Sequence, residues 1–241
     1  MATYYFWKKW KKKTFIEKKA IASVMKAINL IVNAIPKNKL AAIYIKGSFV
    51  RREMNKKSDV DIVPIVTENK YEGPIFDTNS PEIAPCIIVP LSLWELRNNK
   101  LFTKNNLPRA KPDRFVKKLP HYKLIYGKPL DITHFKVRDD EKALKNNIIG
   151  FQNSILPLYK KGKLGFSTLI KTVFWLTELE QEVKGKKIKH SFKDIASSIK
   201  DKEHIIHDAY RFRLHPTKDK KERARFVEKL KKHLAQFERA R

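Results

Sequence analysis

Apolar positions in the first 35 residues recur at helical spacing: Ile21, Val24, Met25, Ile28, Val32 and Ile35 form one stripe. Thr14-Phe-Ile-Glu17 ahead of that stripe fits a capping box, in which a hydroxyl and a carboxylate satisfy the first backbone donors. Pro36 lies just past it, so the helix is expected to stop near Ile35. The period then shortens. Residues 40–45, 60–66, 86–91 and 123–126 are short apolar runs that read as strands, the last ended by Gly127. A short helix is expected over 93–98. Residues 99–121 are basic and loop-rich, with Pro108, Pro112 and Pro120.

Beyond Leu130 the pattern becomes helical throughout. Asp139-Asp140-Glu141 suits a helix N-terminus, where the dipole favours acids. Leu144, Ile148, Phe151, Ile155 and Leu158 continue at helical spacing. A denser stripe follows over 164–183, with Phe166, Leu169, Ile170, Val173 and Leu176 inward. Shorter helices are expected over 192–199 and 204–212. A last one carries Phe226, Leu230, Leu234 and Phe237 on one face. The expected fold class is α+β: an N-terminal α/β domain with a short mixed sheet, residues 1–132, and a C-terminal helical bundle, residues 133–241.

Composition adds one strong feature. Against 25 acidic side chains stand 53 Lys and Arg, a net charge of +28. Residues 1–130 carry 26 basic and 10 acidic side chains, and residues 131–241 carry 27 and 15, so no detachable arm accounts for the excess. Such a chain attracts polyanions, with nucleic acid, RNA above all as an acceptor, the first partner to consider and anionic membrane the second. The single cysteine, Cys86, excludes an internal disulfide and a multi-cysteine zinc site. No apolar run approaches the ~20 residues of a membrane span, and a cytoplasmic setting is expected.

The chemistry gathers between the first two strands, in IKGSFVRREMNKKSDVDIVPIV. Asp59 and Asp61 alternate onto one face of a strand. Two carboxylates so close resist burial unless a cation sits between them. Mg²⁺ or Mn²⁺ bridging a nucleoside triphosphate would supply it. Gly47 lets the backbone approach a ligand closely, and Ser48 offers a hydroxyl and an N–H to phosphate.

Strand, Gly-Ser, Asp-x-Asp, strand after a leading helix resembles the DNA polymerase beta-type nucleotidyltransferases. The order of elements extends the likeness to most of the chain and is closest to small two-domain members, the minimal and kanamycin-type enzymes. The resemblance implies an enzyme that transfers NMP from an NTP, often ATP, to an acceptor hydroxyl. Gly47 and Ser48 would hold the nucleotide's phosphates, and Asp59 and Asp61 would be catalytic metal ligands. Homodimerisation is also implied. Such families carry a third carboxylate on a later strand, where this chain has Pro85 and Cys86. Glu82 is the nearest weak substitute, with Asp77 and Asp131 further off. A catalytically weak or inactive RNA-binding or antitoxin-type protein is the alternative reading.

Four further features need placing. Arg51 and Arg52, in the loop between the motifs with Lys46, Lys56 and Lys57 near by, could clamp a triphosphate. The aromatic-basic start YYFWKKWKKK suits either stacking on bases or packing on the domain. Arg211, Arg213 and His215 have the residue types of a HEPN ribonuclease pair but the wrong spacing. His204 and His207 lie one turn apart, with no carboxylate at ligand spacing.

Overall fold

The computed structural model describes residues 3–102 and 111–239; Pro108 of the expected proline-rich loop lies outside them. The chain divides into two compact units, residues 1–138 and 139–241.

The first unit opens on helix α1, Phe15–Ala34. Its capping box forms in full: Glu17 N–H donates to Thr14 Oγ1 at 3.2 Å, and Thr14 N–H donates to Glu17 Oε2 at 2.8 Å. Strand β1, Leu40–Lys46, leads through Gly47 into the one-turn helix α2, Ser48–Arg51, and β2, Val60–Val66, returns beside β1. Helix α3, Glu72–Phe76, precedes β3, Cys86–Ile88, and β4, Leu91–Ser92. Two helices, α4 at Leu93–Asn98 and α5 at Pro112–Lys118, come before β5, Lys123–Gly127.

The sheet is mixed, in the order β3-β2-β1-β5, with β4 also on β2. β1 is antiparallel to β2 and β5, while β2 runs parallel to β3 and β4. The single strand expected over 86–91 is split in two. Pro90 has no N–H to give a ladder, and Val89 makes the last bond, to Ile62 O at 2.9 Å.

Both sheet faces are covered, which explains why β1 and β2 read as continuous apolar runs rather than alternating ones. Ile43, Ile45, Ile62 and Phe49 pack toward α1. Ala42, Tyr44, Val63 and Ile65 pack with Leu96, Phe115 and Val116 of α4 and α5.

The N-terminal segment packs rather than projecting for base stacking. Phe6, Trp7 and Trp10 surround Phe49 of α2 at ring distances of 5.8, 5.9 and 5.2 Å. Arg52 follows α2 in the left-handed region, φ 59°. Its guanidinium lies over Trp10 at 4.8 Å, donates to both oxygens of buried Glu17 at 2.8 and 3.0 Å, and also reaches Lys12 O. The first twenty residues thus hold the segment that follows Gly47 by an aromatic cluster and a forked ion pair.

The second unit is helical: α6 Asp140–Gly150, α7 Leu156–Lys160, α8 Phe166–Val183, α9 Phe192–Ser197, α10 Ile205–Leu214 and α11 Lys220–Arg239. Asp139 caps α6, accepting the Lys142 N–H at 3.0 Å. The continuous stripe expected over 144–158 is interrupted by a π-helical turn, Phe151–Ile155. Pro157 just beyond cannot supply the N–H that an uninterrupted α-helix needs. Phe166, Leu169, Val173, Phe212, Phe226 and Leu230 are among the buried residues of the core. Among the described residues no helix is long and apolar enough to cross a membrane.

The Arg52 guanidinium holds the Glu17 carboxyl below its usual value of 4.5, against the opposing effect of burial. A depressed carboxylate contributes stability that is fully present above its unfolded value and is lost as pH falls through the folded one. The unfolding free energy of the wild type should therefore fall from about pH 4.5 downward more steeply than that of Glu17→Gln. Denaturant titrations at pH 6 and pH 3.5 check this; equal losses in both proteins would refute it.

Candidate active site

The site is built on the β1–β2 ladder. The register pairs Lys46 with Asp61, and β2 pairs Asp61 with Ile87 of β3. Residues so paired share a face, so Lys46, Asp61 and Ile87 form one row across the sheet. Asp59 is exposed just ahead of β2, and Val60 between the two acids is fully buried. The alternation expected of the Asp pair is thus present: the core holds Val60 and leaves both carboxylates on the other side.

Gly47 links the two halves of the motif. Its φ of 87° and ψ of −157° lie in a region that is essentially glycine's alone. A Cβ there would come within 2.9 Å of Asp61 Oδ2. The Gly-Ser backbone therefore passes directly against the carboxylate. On its other oxygen, Asp61 meets Lys46 Nζ at 3.6 Å. Ser48 begins α2 and is partly exposed, while Phe49 beside it is fully buried and anchors the turn.

The two arginines differ in role. Arg51 Nε donates to Glu53 at 2.8 Å. Arg52, expected from sequence as a second phosphate clamp, is engaged by Glu17, Trp10 and the Lys12 carbonyl. That engagement has a physical reason. The left-handed backbone at Arg52 ends α2 and sends the side chain into the N-terminal segment, where a buried carboxylate needs a cation.

The third carboxylate is absent from the expected place. The position beside Asp61 on β3 is Ile87, 42% exposed, and the neighbouring Cys86 thiol is pushed up to about 12 by burial. Glu82 is exposed in the turn Pro81–Ile83, ahead of β3. Asp131 accepts from Thr133 N–H and Oγ1 at 3.0 and 2.7 Å, and these bonds hold its carboxyl below the usual range. Among the described residues, the Asp pair belongs to no group of three carboxylate, imidazole or thiol donors.

Sequence reasoning missed Tyr122, just before β5. Burial pushes its hydroxyl up to about 12; Asp61 adds to this, while Arg114, Arg138 and Arg51 oppose it. The phenol thus stays protonated in the combined field of Asp61 and three arginines. No local signal could have found it, because β5 reaches β2 only by way of β1.

In architecture the chain is an α+β nucleotidyltransferase fold with a helical C-terminal region. A solved structure of that kind, spectinomycin adenyltransferase AAD(9) from Enterococcus faecialis with ATP and spectinomycin, superposes with a TM-score of 0.50. The likeness covers 89% of this chain and 99% of that chain at 16% identity. Comparison of the sequence with protein-family models and with curated proteins returns no match.

Because Gly47 sits where a side chain would strain the backbone and press on Asp61, Gly47→Ala should cost about 1–3 kcal/mol of stability. Chemical denaturation measures it; a loss below ~0.5 kcal/mol would show that the turn tolerates a side chain.

Proposed function

We propose that this protein is a divalent-metal-dependent nucleotidyltransferase that moves a nucleoside monophosphate from an NTP to an acceptor hydroxyl. One observation carries the reading: Gly47 lies against Asp61 Oδ2 in a conformation reserved for glycine. That contact joins the Gly-Ser turn and the Asp pair into one site. The fold shared with an adenyltransferase solved with ATP supports it.

Asp59 and Asp61 fit a Mg²⁺ or Mn²⁺ ion. Both are hard oxygen donors, both keep solvent access, and the cation facing Asp61 is a partly exposed lysine that can yield to a metal. When bound, the ion would supply charge neutralisation at the triphosphate and activation of the attacking oxygen. The chain's own groups do the rest. Gly47 and Ser48 offer a close backbone and a hydroxyl to phosphate oxygens. Lys46 and Arg51 place positive charge beside them. Arg52 holds the turn. Tyr122 keeps its proton and can donate a hydrogen bond near Asp61.

For the acceptor, the net charge of +28 favours RNA. The structural neighbour was solved with an antibiotic, so a small hydroxylated acceptor is the competing choice. The homodimer implied by the kanamycin-type resemblance belongs to the same proposal and is checked by light scattering. A second reading, a nucleotide- or RNA-binding protein with little turnover, is favoured by one specific observation, Ile87 beside Asp61.

Incubation with each α-labelled NTP and Mg²⁺ or Mn²⁺, with RNA or with small-molecule acceptors, should label one acceptor class. Asp59→Ala/Asp61→Ala should lower transfer at least about a hundredfold. No labelling by folded protein under any condition would sink the enzyme reading.

Ile87→Asp would restore an acid level with Asp61. Where the chain is a weak enzyme, this change should raise the transfer rate tenfold or more, since a positioned base contributes about 10²–10⁴. An unchanged rate would show that another group already takes the proton.

A further inference from the structure

The helical unit holds a cluster that the nucleotidyl-transfer site does not use. Glu180 of α8, His204 at the N-cap of α10 and His233 of α11 bring their side chains together, with donor atoms all within 4.8 Å of one another. His233 Nε2 lies 2.8 Å from Glu180 Oε1, and His204 Nε2 lies 3.4 Å from Oε2. The two imidazoles meet edge to face at 4.6 Å. Glu180 is 3% exposed and His233 9%. On the outer side, both imidazoles line a cleft of about 140 Å³ with Asp201, Glu203, Lys229 and Gln236.

A carboxylate buried in a helical core is unfavourable unless its partners compensate for the lost water. Here the burial is arranged so that three different helices end in one carboxylate and two imidazoles. We infer that Glu180, His204 and His233 form a binding site for a divalent transition metal, best matched by Zn²⁺. One carboxylate with two imidazoles is a donor set that suits zinc, and the cleft leaves room for further ligands such as water.

The competing occupant is the proton. Ile206 N–H donates to His204 Nδ1 at 3.2 Å, so in the metal-free state Nε2 carries the ring hydrogen and faces Glu180. Zinc binding through Nε2 moves that hydrogen to Nδ1 and gives up the cap. The exchange gives up one cap hydrogen bond for a coordination bond to the metal. Two lysines, Lys229 and Lys232, also line the cleft, and Lys229 is paired with Asp208 Oδ2 at 2.7 Å. This site rests on no part of the nucleotidyltransferase reading.

The test uses the full chain, stripped with EDTA and titrated with Zn²⁺ against a chromophoric chelator. One tight equivalent is expected. His233→Asn and His204→Asn should each weaken it at least about a hundredfold. Asn at 204 keeps a cap-forming side chain, so that variant retains the start of α10. His190→Asn and His207→Asn should leave affinity unchanged. His190 is the informative control, because with Glu178 and Glu182 it forms the other compact donor group among the described residues. Zinc should also raise the melting midpoint of the wild type and not of the two ligand variants. On the unmutated protein, imidazole NMR should show two of the seven histidine rings shifting with one equivalent of zinc. Failure to retain one equivalent, binding that survives in both ligand variants, or binding lost in His190→Asn would each overturn the assignment.

Discussion

The contact between Gly47 and Asp61 is the constraint on which the site depends. The antiparallel register of β1 and β2 sets Lys46 opposite Asp61. The chain must then turn away from β1 at the next residue, over the carboxylate. Glycine suits that turn because the backbone has a φ of 87° and a ψ of −157°, where a side chain is strained, and a Cβ would also come within 2.9 Å of Asp61 Oδ2 and displace it. The Gly-Ser turn and the Asp pair are thereby held together.

That turn does not hold itself. One helical turn has too few internal hydrogen bonds to be stable alone. Phe49 and Arg52 tie it to the N-terminal segment, the first by aromatic packing on Phe6, Trp7 and Trp10, the second through Glu17 and Trp10. Glu17 serves twice, closing the capping box of α1 and receiving the Arg52 fork. The basic start of the chain, which in sequence suits either packing on the domain or stacking on bases, is in its aromatic part a structural brace. Its lysines remain part of the positive surface.

Charge has a different distribution in the helical unit. Its surface is strongly basic, yet α8 buries Glu178 and Glu180. Glu180 is stabilised by histidines from α10 and α11. Net charge describes the long-range field that a partner meets. It does not describe the interior, where individual carboxylates answer only to their neighbours.

The sequence by itself determined the order of the main strands and long helices, the capping box of α1 and the alternation of Asp59 and Asp61 about Val60, but not the short helices α2, α3 and α5 or the break between β3 and β4. The determined features are local: a capping box spans four residues, and alternation along a strand needs only the buried Val60 between the two acids. The α+β class followed from the change of period near residue 130. Tertiary structure decided the rest. Arg52 is a brace because its partner Glu17 lies 35 residues away in sequence. Ile87 stands beside Asp61 because β3 joins β2 in parallel, a register that no local pattern reports. Tyr122 enters the site's field through β5, and His204 finds its carboxylate in Glu180 and its second imidazole in His233 only once α8, α10 and α11 pack. Periodicity reports which face of an element is buried; which residues meet across elements is set by packing between segments distant in the chain.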